Sequence, residues 1–326
     1  MGRSLRDLRI SLTDRCNFRC NYCMPKEIFG PEYPFLKSSQ FLSFDEIVQV
    51  VAAAVPLGVE KVRLTGGEPL LRRKTPELVK RIKEQTPIDQ IALTTNGMLL
   101  VPLLEDFVKA GLNRVNISFD AVEDSIFRSM SGGFGDSATV MRAIQQSAQS
   151  GILTKVNAVI KKDVNDEQII PLIEFGMETG VELRFIEFMD VGTSNQWDEA
   201  QVVSKDQILE QVSRHFSLQP CPSKPFEGVA NRFQLREHDY HFGIISSVSA
   251  PFCGSCVRAR LSSDGKLYTC LFSNNGHDLK EVLRNGDQKL RTRIREIWNG
   301  RHDRYSELRD SSKPAPAKAE MSYLGG

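Results

Sequence analysis

Short β-rich runs alternate with helical runs between residues 8 and 187, and this alternation restricts the fold more than any other feature of the chain. Six strands are predicted, at "DLRISLT", "EKVRLTG", "DQIALTTN", "NRVNISFD", "TKVNAVIK" and "VELRFIEFM". Helices are predicted between them, and four helices are followed by a glycine that can cap a helix end, namely Gly58, Gly111, Gly151 and Gly180. Because strands that alternate with helices pair in parallel, the six units predict either a doubly wound open sheet or part of a TIM-like barrel.

Polar and glycine-rich clusters follow four of the predicted strands, at "TGGEP", "TTNG", "SFDA" and "EFMDVG". In a barrel the chemistry takes place at the carboxyl ends of the strands, and these clusters lie at those ends. We therefore expect functional residues along that edge of the sheet.

The alternation changes after about residue 217. Strand-like pieces "RFQLRE", "YHFGIIS", "RARLSSDG" and "KLYTC" are separated by turns, and a helix is predicted near residues 287–298. The end of the chain, "SSKPAPAKAEMSYLGG", is rich in serine, proline and alanine, a composition typical of mobile segments. We therefore divide the chain into a partial barrel at 1–215, an α+β extension at 216–310 and a flexible tail at 311–326 that ends in Gly-Gly.

The charges of the chain are nearly balanced. Lysine and arginine total 42 and aspartate and glutamate total 41, which gives a net charge of +1. No global field therefore favours nucleic acid or an anionic membrane, and any anionic ligand must be held by local basic residues. We expect no segment with the unbroken apolar length of a membrane span, and the first ten residues lack the apolar stretch of a signal peptide. These features predict a cytoplasmic protein.

Three of the seven cysteines lie close together after the first predicted strand. Cys16, Cys20 and Cys23 have the spacing C-x3-C-x2-C. A disulfide uses two cysteines and a structural zinc site uses four ligands, so three suggest a metal with one open coordination position. Thiolates are the usual ligands of [4Fe–4S] clusters, and grouped cysteines in a reducing compartment indicate metal or redox chemistry. The alternative is a zinc site completed by a remote histidine or cysteine.

A second group, near the C-terminus, again has three cysteines. Cys253 and Cys256 form C-x2-C, and Cys270 follows after thirteen intervening residues. A zinc site here would need a fourth ligand, which Cys221 or His277 could supply. A second [4Fe–4S] cluster with an open iron is the other interpretation.

Two arginines lie inside this second group. Arg258 and Arg260 alternate along a predicted strand, so their side chains share one face. Two guanidinium groups beside a metal site would hold an anion, whereas a solvated strand face is the simpler interpretation of either arginine alone.

The first cysteine group and the glycines after the second strand together resemble the radical S-adenosylmethionine (SAM) superfamily. The matching features are C-x3-C-x-aromatic-C, with Tyr22 as the aromatic residue, and "TGGEP". The resemblance implies a full or partial βα barrel in which Cys16, Cys20 and Cys23 hold a [4Fe–4S] cluster whose open iron binds SAM. It also implies that the reduced cluster cleaves SAM to a 5′-deoxyadenosyl radical, which removes hydrogen from a substrate.

The C-terminal features narrow this resemblance. "DLRISLTDRCNFRCNYCMP", "FCGSCVRARLSSDGKLYTCLF" and the final Gly-Gly are similar to the GTP 3′,8-cyclase family over nearly the whole chain. That family implies a second [4Fe–4S] cluster at Cys253, Cys256 and Cys270, next to the guanine of GTP. It further implies hydrogen removal from ribose C3′, attack of that carbon on guanine C8, and (8S)-3′,8-cyclo-7,8-dihydroguanosine 5′-triphosphate as the product. This reaction is the first step of molybdenum cofactor biosynthesis.

The same resemblance implies the remaining site residues. The SAM contacts would be Tyr22, Gly67, Ser118 and Met189. The GTP contacts would be Arg9, Arg63, Thr94, Lys155, Arg258 and Arg260. The tail would enter the active site and assist catalysis through Gly325 and Gly326. Charged residues inside strands would be costly in an apolar barrel, and a polar, ligand-filled interior removes that conflict.

The resemblance also implies partners. These are GTP as substrate, cyclic pyranopterin monophosphate synthase downstream, and a reductant such as flavodoxin or ferredoxin, with the chain acting as a monomer or homodimer. No nucleic acid or membrane partner is expected.

Two other interpretations stay open. Another two-cluster radical SAM enzyme, such as a peptide-modifying maturase, would usually have more C-terminal cysteines. A non-catalytic protein with zinc at both cysteine groups would leave "TGGEP" and the strand-end polar residues without a role.

Overall fold

The computed structural model describes residues 2–222, 228–309 and 318–326. The strands are β1 (Asp7–Ser11), β2 (Lys61–Thr65), β3 (Gln90–Thr95), β4 (Arg114–Ser118), β5 (Leu153–Ile160), β6 (Glu182–Glu187), β7 (Leu218–Pro220), β8 (Asn231–Leu235), β9 (Tyr240–Ile245), β10 (Arg258–Leu261), β11 (Lys266–Tyr268) and β12 (His277–Asp278). The helices are α1 (Phe44–Ala54), α2 (Thr75–Gln85), α3 (Leu104–Lys109), α4 (Asp124–Met130), α5 (Ser137–Gln149), α6 (Ile169–Thr179), α7 (Lys205–Ser213), α8 (Lys280–Leu283), α9 (Asp287–Asn299) and α10 (Met321–Leu324). The strands form one sheet in the order β12-β11-β10-β1-β2-β3-β4-β5-β6-β9-β8-β7.

The first six strands form the wall of a barrel. Strands β1 to β6 lie side by side in chain order, and every neighbouring pair is parallel. A doubly wound sheet would reverse its strand order near the middle, so the sequential order confirms the predicted partial (βα)6 barrel. Helix α4, after β4, was not predicted, because seven residues are too few for a helical period to stand out.

Helix α1 begins with a capping box, for which the sequence pattern is Ser43 followed three residues later by Glu46. The Ser43 hydroxyl accepts a hydrogen bond from the Glu46 amide at 3.1 Å, and the Glu46 carboxylate accepts one from the Ser43 amide at 2.7 Å. Gly58 ends the turn that follows the helix with a φ of 106°, a conformation that favours glycine. These local contacts set where the first crossover between strands begins and ends.

One stretch, Ser38–Leu57, has the length and apolar composition of a membrane span. Asp45 and Glu46 interrupt the stretch, so it is not an unbroken apolar segment. The stretch includes α1, whose residues Ile47, Val50, Val51 and Ala54 are buried in the core of the protein. Core packing accounts for its apolar character.

The C-terminal region extends the barrel sheet at both edges. Strand β9 pairs in parallel with β6, and β10 pairs in parallel with β1. Strands β8 and β7 continue beyond β9, and β11 and β12 continue beyond β10, all antiparallel. The predicted extension at 216–310 thus completes the barrel wall on two sides, while its boundary at 215 stays a prediction.

Side chains of the wall alternate between an apolar and a polar face. Leu8 and Ile10 of β1 are buried in the apolar core that the helices share. Arg9 lies between them on the strand and lines the barrel interior, and Arg63 of β2 does the same. The apolar core therefore lies between sheet and helices, and the interior of the barrel is polar.

The last nine residues return to the barrel. Helix α10 lies next to β1, and Gly326 lines the interior. Residues 311–317 of the predicted flexible tail lie outside the described residues.

Candidate functional site

One cavity of about 750 Å³ occupies the barrel interior, and both cysteine groups line it. Cys16, Cys20 and Cys23 follow the carboxyl end of β1, whereas Cys253 and Cys256 precede the amino end of β10. Because β1 and β10 are parallel neighbours, the two groups lie toward opposite ends of the strands. A strand of this length spans about 16 Å, so a small molecule fits between the two groups.

The glycine-rich loop after β2 holds the loop that contains the first cysteine group. The Gly67 amide donates to the Thr13 carbonyl at 2.7 Å, and the Glu68 amide donates to the Arg15 carbonyl at 2.7 Å. A Cβ at Gly67 would lie 2.1 Å from the Arg15 carbonyl oxygen, which is closer than any side chain tolerates. Glycine is therefore required here for the close approach of two backbone segments next to Cys16.

The first cysteine group consists of half-buried residues that line the cavity. Desolvation raises the pKa of Cys16 to about 12 and raises the pKa values of Cys20 and Cys23 well above the ordinary value of a thiol. Coordination to a metal deprotonates such thiols, whereas the surrounding protein alone does not. Three sulfur donors on one loop fit the thiolate ligation of an iron–sulfur cluster.

All seven cysteines are free, and each lies in the described part of the chain. Among the described residues, no three histidine, cysteine, aspartate or glutamate side chains converge on a single metal ion. In a [4Fe–4S] cluster each cysteine binds a different iron, so its ligands lie farther apart than those of one zinc ion.

Two arginines outside the cysteine motif hold the second group. Arg3 Nη1 donates to the Cys253 carbonyl at 2.6 Å, and Arg301 Nη1 donates to the Cys256 carbonyl at 2.9 Å. Burial alone would raise the pKa of Cys256, but the guanidinium groups of Arg258 and Arg301 lower it to about 6. Cys256 is therefore a thiolate at neutral pH, the form that binds metals.

Charged side chains form two rows across the barrel between the cysteine groups. The strand register places Arg9 beside Arg63 on one side and beside Arg260 on the other. In the next row, toward the second cysteine group, Asp7 lies beside Arg258. The Asp7 carboxylate is 3.9 Å from Arg63 Nη2. Burial alone would raise the pKa of Asp7, but the guanidinium groups of Arg63, Arg9 and Arg258 lower it, so one carboxylate faces several cations.

The cations of the cavity are only partly neutralised by the protein. They include Arg9, Lys61, Arg63, Arg114, Arg184, Arg258 and Arg260. Within the described residues, buried atoms without a hydrogen-bond partner include Nε of Arg9, Nε of Arg63, Nε of Arg258, and Nε and Nη2 of Arg114. Burial, followed by repulsion from neighbouring arginines, lowers the pKa of Arg9 well below its ordinary value and that of Arg260 to about 10. A bound anion would supply both the missing acceptors and the missing negative charge.

The C-terminal glycines enter the same cavity. Arg260 Nη1 donates to the Gly325 carbonyl oxygen, and Thr65 Oγ1 donates to the Gly326 carbonyl oxygen at 3.3 Å. Gly325 has a φ of 78°, and a Cβ there would lie 2.3 Å from Thr65 Cγ2. This path of the chain therefore requires glycine at position 325.

The structure brings most of the predicted site residues to this one cavity. It is lined by the six predicted cluster ligands and by Tyr22, Gly67, Ser118, Met189, Arg9, Arg63, Thr94, Arg258, Arg260 and Gly326. Two predicted residues, both described, do not line it, namely Lys155 and Gly325. Lys155 Nζ pairs with Glu182 Oε2 at 2.8 Å, and burial lowers the pKa of Lys155 to about 8. The roles assigned to all these residues stay predictions.

Sequence reasoning missed two buried carboxylates at the strand ends. Glu68 accepts a hydrogen bond from Thr95 Oγ1 at 2.8 Å and thereby joins β2 to β3. Asp120 accepts one from Tyr22 Oη at 2.8 Å and one from the Val159 amide at 2.8 Å. Both carboxylates belong to the strand-end clusters "TGGEP" and "SFDA". A single sequence does not show which polar residue of such a cluster points inward.

Sequence reasoning also missed several cations that line the cavity, among them Lys61, Arg114 and Arg184. Lys61 lies two residues before Arg63 on β2, so the alternation that turns Arg63 inward would have found it. Arg301 has no such signal, because it lies 45 residues along the chain from Cys256, whose carbonyl it contacts.

Two known families match most of the chain. Residues 10–176 match the Radical SAM superfamily, and residues 181–307 match Molybdenum Cofactor Synthesis C. A GTP 3′,8-cyclase of Staphylococcus saprophyticus is 45% identical over 332 residues, covering 100% of this chain and 98% of the relative. A GTP 3′,8-cyclase of Staphylococcus aureus is 44% identical with the same coverage.

Solved structures share the fold. Streptococcus suis SuiB bound to S-adenosylmethionine has a TM-score of 0.60 at 16% identity, covering 87% of this chain and 63% of SuiB. SuiB bound to precursor peptide SuiA has a TM-score of 0.65 at 15% identity, covering 91% of this chain and 65% of SuiB. Methylornithine synthase (PylB) has a TM-score of 0.51 at 17% identity, covering 64% of this chain and 62% of PylB. The chain spans just under two thirds of the length of these structures, and at such identities the likeness shows the fold alone.

Proposed function

The chain belongs to the GTP 3′,8-cyclase family of the radical SAM superfamily, and we propose that its cavity binds GTP and SAM and joins ribose C3′ of GTP to guanine C8. The product is (8S)-3′,8-cyclo-7,8-dihydroguanosine 5′-triphosphate, and the reaction is the first step of molybdenum cofactor biosynthesis. One observation above all supports this proposal. Two rows of inward-facing charged side chains, most of them cations, lie in a single cavity between two groups of three cysteines.

The residues of the cavity fit the groups that this reaction needs. The cavity volume lies within the range of about 300–1,000 Å³ that is typical of small-molecule sites. The first cluster would be held by Cys16, Cys20 and Cys23, with SAM beside it against Tyr22, Gly67, Ser118 and Met189. The second cluster would be held by Cys253, Cys256 and Cys270. When bound, these groups supply the one-electron chemistry that generates a 5′-deoxyadenosyl radical for hydrogen removal from C3′.

The arginine rows would orient the triphosphate. A guanidinium group pairs with two phosphate oxygens at once, and Arg9, Arg63 and Arg260 lie side by side on neighbouring strands. Because rigid strands fix these side chains, they also fix the ribose relative to both cysteine groups. Thr94 and Lys155 complete the proposed GTP contacts, and Lys155 would exchange its partner Glu182 for a phosphate oxygen.

The C-terminal glycines would cover the GTP site next to Arg260. The Gly325 carbonyl already accepts a hydrogen bond from Arg260, which has further donors for a phosphate. A covered cavity excludes water and strengthens every ionic contact inside it. Gly325 and Gly326 are therefore proposed to assist catalysis by enclosing the substrate.

The proposed reductant, downstream enzyme, oligomeric state and cellular compartment rest on the family resemblance. The electron would come from a reductant such as flavodoxin or ferredoxin, and the product would pass to cyclic pyranopterin monophosphate synthase. The chain would act as a monomer or homodimer in the cytoplasm, where free cysteines stay reduced.

The test is anaerobic turnover of the iron-reconstituted protein with SAM, dithionite and GTP, followed by chromatography of 5′-deoxyadenosine and guanine nucleotides. Cys253→Ala is expected to abolish the cyclised nucleotide and to lower the iron content from about eight to about four atoms per chain. Cys221→Ala is the matched control. Cys221 is not among the described residues that line the cavity, and its contact with Arg232 is through the backbone amide. Full activity is expected.

Two outcomes would contradict the proposal. Formation of 5′-deoxyadenosine that does not depend on GTP would support radical SAM activity but contradict GTP as the substrate. Absence of 5′-deoxyadenosine from protein that holds about eight irons per chain would reject the activity itself.

A further inference from the structure

Lys318 lies in a closed socket formed by Asp190, Phe272 and Tyr305. Its side chain is fully buried, and Nζ donates to the Asp190 carboxylate at 2.8 Å and to the Asp190 carbonyl at 2.5 Å. The same ammonium group lies 4.4 Å from the ring centroid of Tyr305 and 5.3 Å from that of Phe272. The two rings stack with centroids 4.5 Å apart. A buried ion pair with two aromatic walls holds its lysine in one place.

The socket joins three parts of the chain that the proposed chemistry uses. Asp190 directly follows Met189, the predicted SAM contact after β6. Phe272 follows Cys270, a predicted ligand of the second cluster, by two residues. Lys318 belongs to the C-terminal segment that enters the cavity. The ammonium group of Lys318 therefore links the tail to both loops.

A second contact lies two residues further along the tail. The Glu320 carboxylate accepts hydrogen bonds from Thr193 Oγ1 and Ser194 Oγ, each at 2.8 Å. It also fills the space next to Gly192, where a Cβ would lie 2.2 Å from Glu320 Oε2. Glu320 is the residue before α10, so the two contacts together set the direction in which the helix leaves the loop.

The charges around Asp190 identify Lys318 as the residue to vary. Asp190 also accepts hydrogen bonds from Arg309 Nη2 at 2.8 Å and from Tyr305 Oη at 2.5 Å. Burial alone would raise the pKa of Asp190, but its contacts with Lys318, Tyr305 and Arg309 lower it. If Lys318 is lost, Arg309 still compensates the carboxylate. Loss of Asp190 would leave two cations unpaired, and the fold itself would suffer.

Resting on the proposed function, we propose that Lys318 is a positioning residue that anchors the C-terminal segment in the cavity through Asp190. The anchor determines where Gly325 and Gly326 stop relative to Arg260. Lys318 acts on the reaction only through the tail.

Hydrogen exchange of the reconstituted protein, followed by mass spectrometry, tests the anchor directly. Lys318→Met keeps the aliphatic stem and removes the charge. We expect the amides of residues 318–326 to exchange at least about tenfold faster in this variant, with strands β1 to β6 unchanged. Lys318→Arg keeps the charge and should restore part of the protection. Lys109→Met, an exposed lysine paired with Glu105 on α3, is the matched control and should change nothing.

Turnover separates positioning from a merely structural role. Lys318→Met is expected to lower kcat about tenfold while KM for GTP stays within about twofold, since the cation rows are untouched. Deletion of Gly325 and Gly326 removes the part of the tail that the anchor positions. Adding Lys318→Met to that deletion should cause no further loss, because two changes that act through one element are not additive.

Unchanged exchange of residues 318–326 in Lys318→Met would overturn the proposal, and so would an added loss of turnover in the deletion background. The exchange measurement requires no catalysis. Failure of GTP cyclisation would therefore reject the proposed function and leave the result on the anchor in place.

Discussion

Gly67 shows how a single residue of this site is selected by the space around it. The superfamily resemblance connects this position with SAM, yet its most direct contact is with the backbone of the cysteine loop. The Gly67 amide donates to the Thr13 carbonyl, and the position has no room for a side chain next to Arg15. The contacts of Gly67 therefore fix the loop that contains Cys16, independently of any bound ligand.

Gly67→Ala is expected to displace the first cysteine loop, because the new Cβ would lie 2.1 Å from the Arg15 carbonyl oxygen. Iron content after reconstitution should fall from about eight toward about four atoms per chain, as measured by iron analysis and visible absorbance. Gly30→Ala is the control, since a Cβ there meets only the Lys26 carbonyl at 3.7 Å. Full iron loading of Gly67→Ala would show that the loop adapts to the larger residue.

Glu187 joins three elements at the carboxyl end of β6. Its fully buried carboxylate accepts hydrogen bonds at 2.8 Å from the amides of Lys205, Val248 and Ser249. The first of these amides begins α7, and the other two belong to the loop after β9. The negative charge also lies favourably at the start of a helix. Glu187 thus connects the barrel to the C-terminal strands that extend it.

Glu187→Ala would leave three backbone amides without an acceptor. We expect it to lower the free energy of unfolding by about 3 kcal/mol, measured by urea denaturation under anaerobic conditions. Glu187→Gln keeps one acceptor oxygen and should cost less. Glu210→Ala is the control. Glu210 lies on α7 and forms an exposed ion pair with Arg214, so its loss should leave the urea midpoint of unfolding unchanged. A wild-type midpoint for Glu187→Ala would mean that water replaces the carboxylate.

The whole molecule is held together by strands that come from distant parts of the chain. The two barrel edges, β1 and β6, are covered by β10 and β9, which both belong to the C-terminal region. Helix α9 also packs against α1. The family boundary near 176–181 therefore lies within a structure whose sheet is continuous.

A fragment of residues 1–215 is expected to aggregate when it is produced alone. It would expose the unpaired backbone edges of β1 and β6, which favour pairing between chains. The measurement is the soluble fraction on expression and the elution volume in size-exclusion chromatography, with the full chain as the reference. A monomeric fragment that unfolds cooperatively would instead support 1–215 as an autonomous domain.

Much of the fold and of the site could be predicted because the signals are local. The six βα units follow from periodicity, the start of α1 from Ser43 and Glu46, and the expectation of two metal sites from cysteine spacing. The family resemblance then supplied Arg9, Arg63 and further residues, and most of the residues it supplied line the cavity. Lys155 pairs with Glu182, a contact that the sequence did not predict, because its neighbour on the next strand is a carboxylate. Its contact with GTP stays a prediction.

The sequence by itself determined the elements, their parallel pairing and the grouping of the six cysteines, since these depend on residues within a few turns or a few strand positions. Only the tertiary structure decided that the groups lie at opposite ends of one cavity and that both barrel edges close with C-terminal strands. It also decided that Asp190 meets Lys318 across 128 positions of the chain. Contacts of this kind form only when the whole sheet brings distant segments together, and no local pattern records which segments those are.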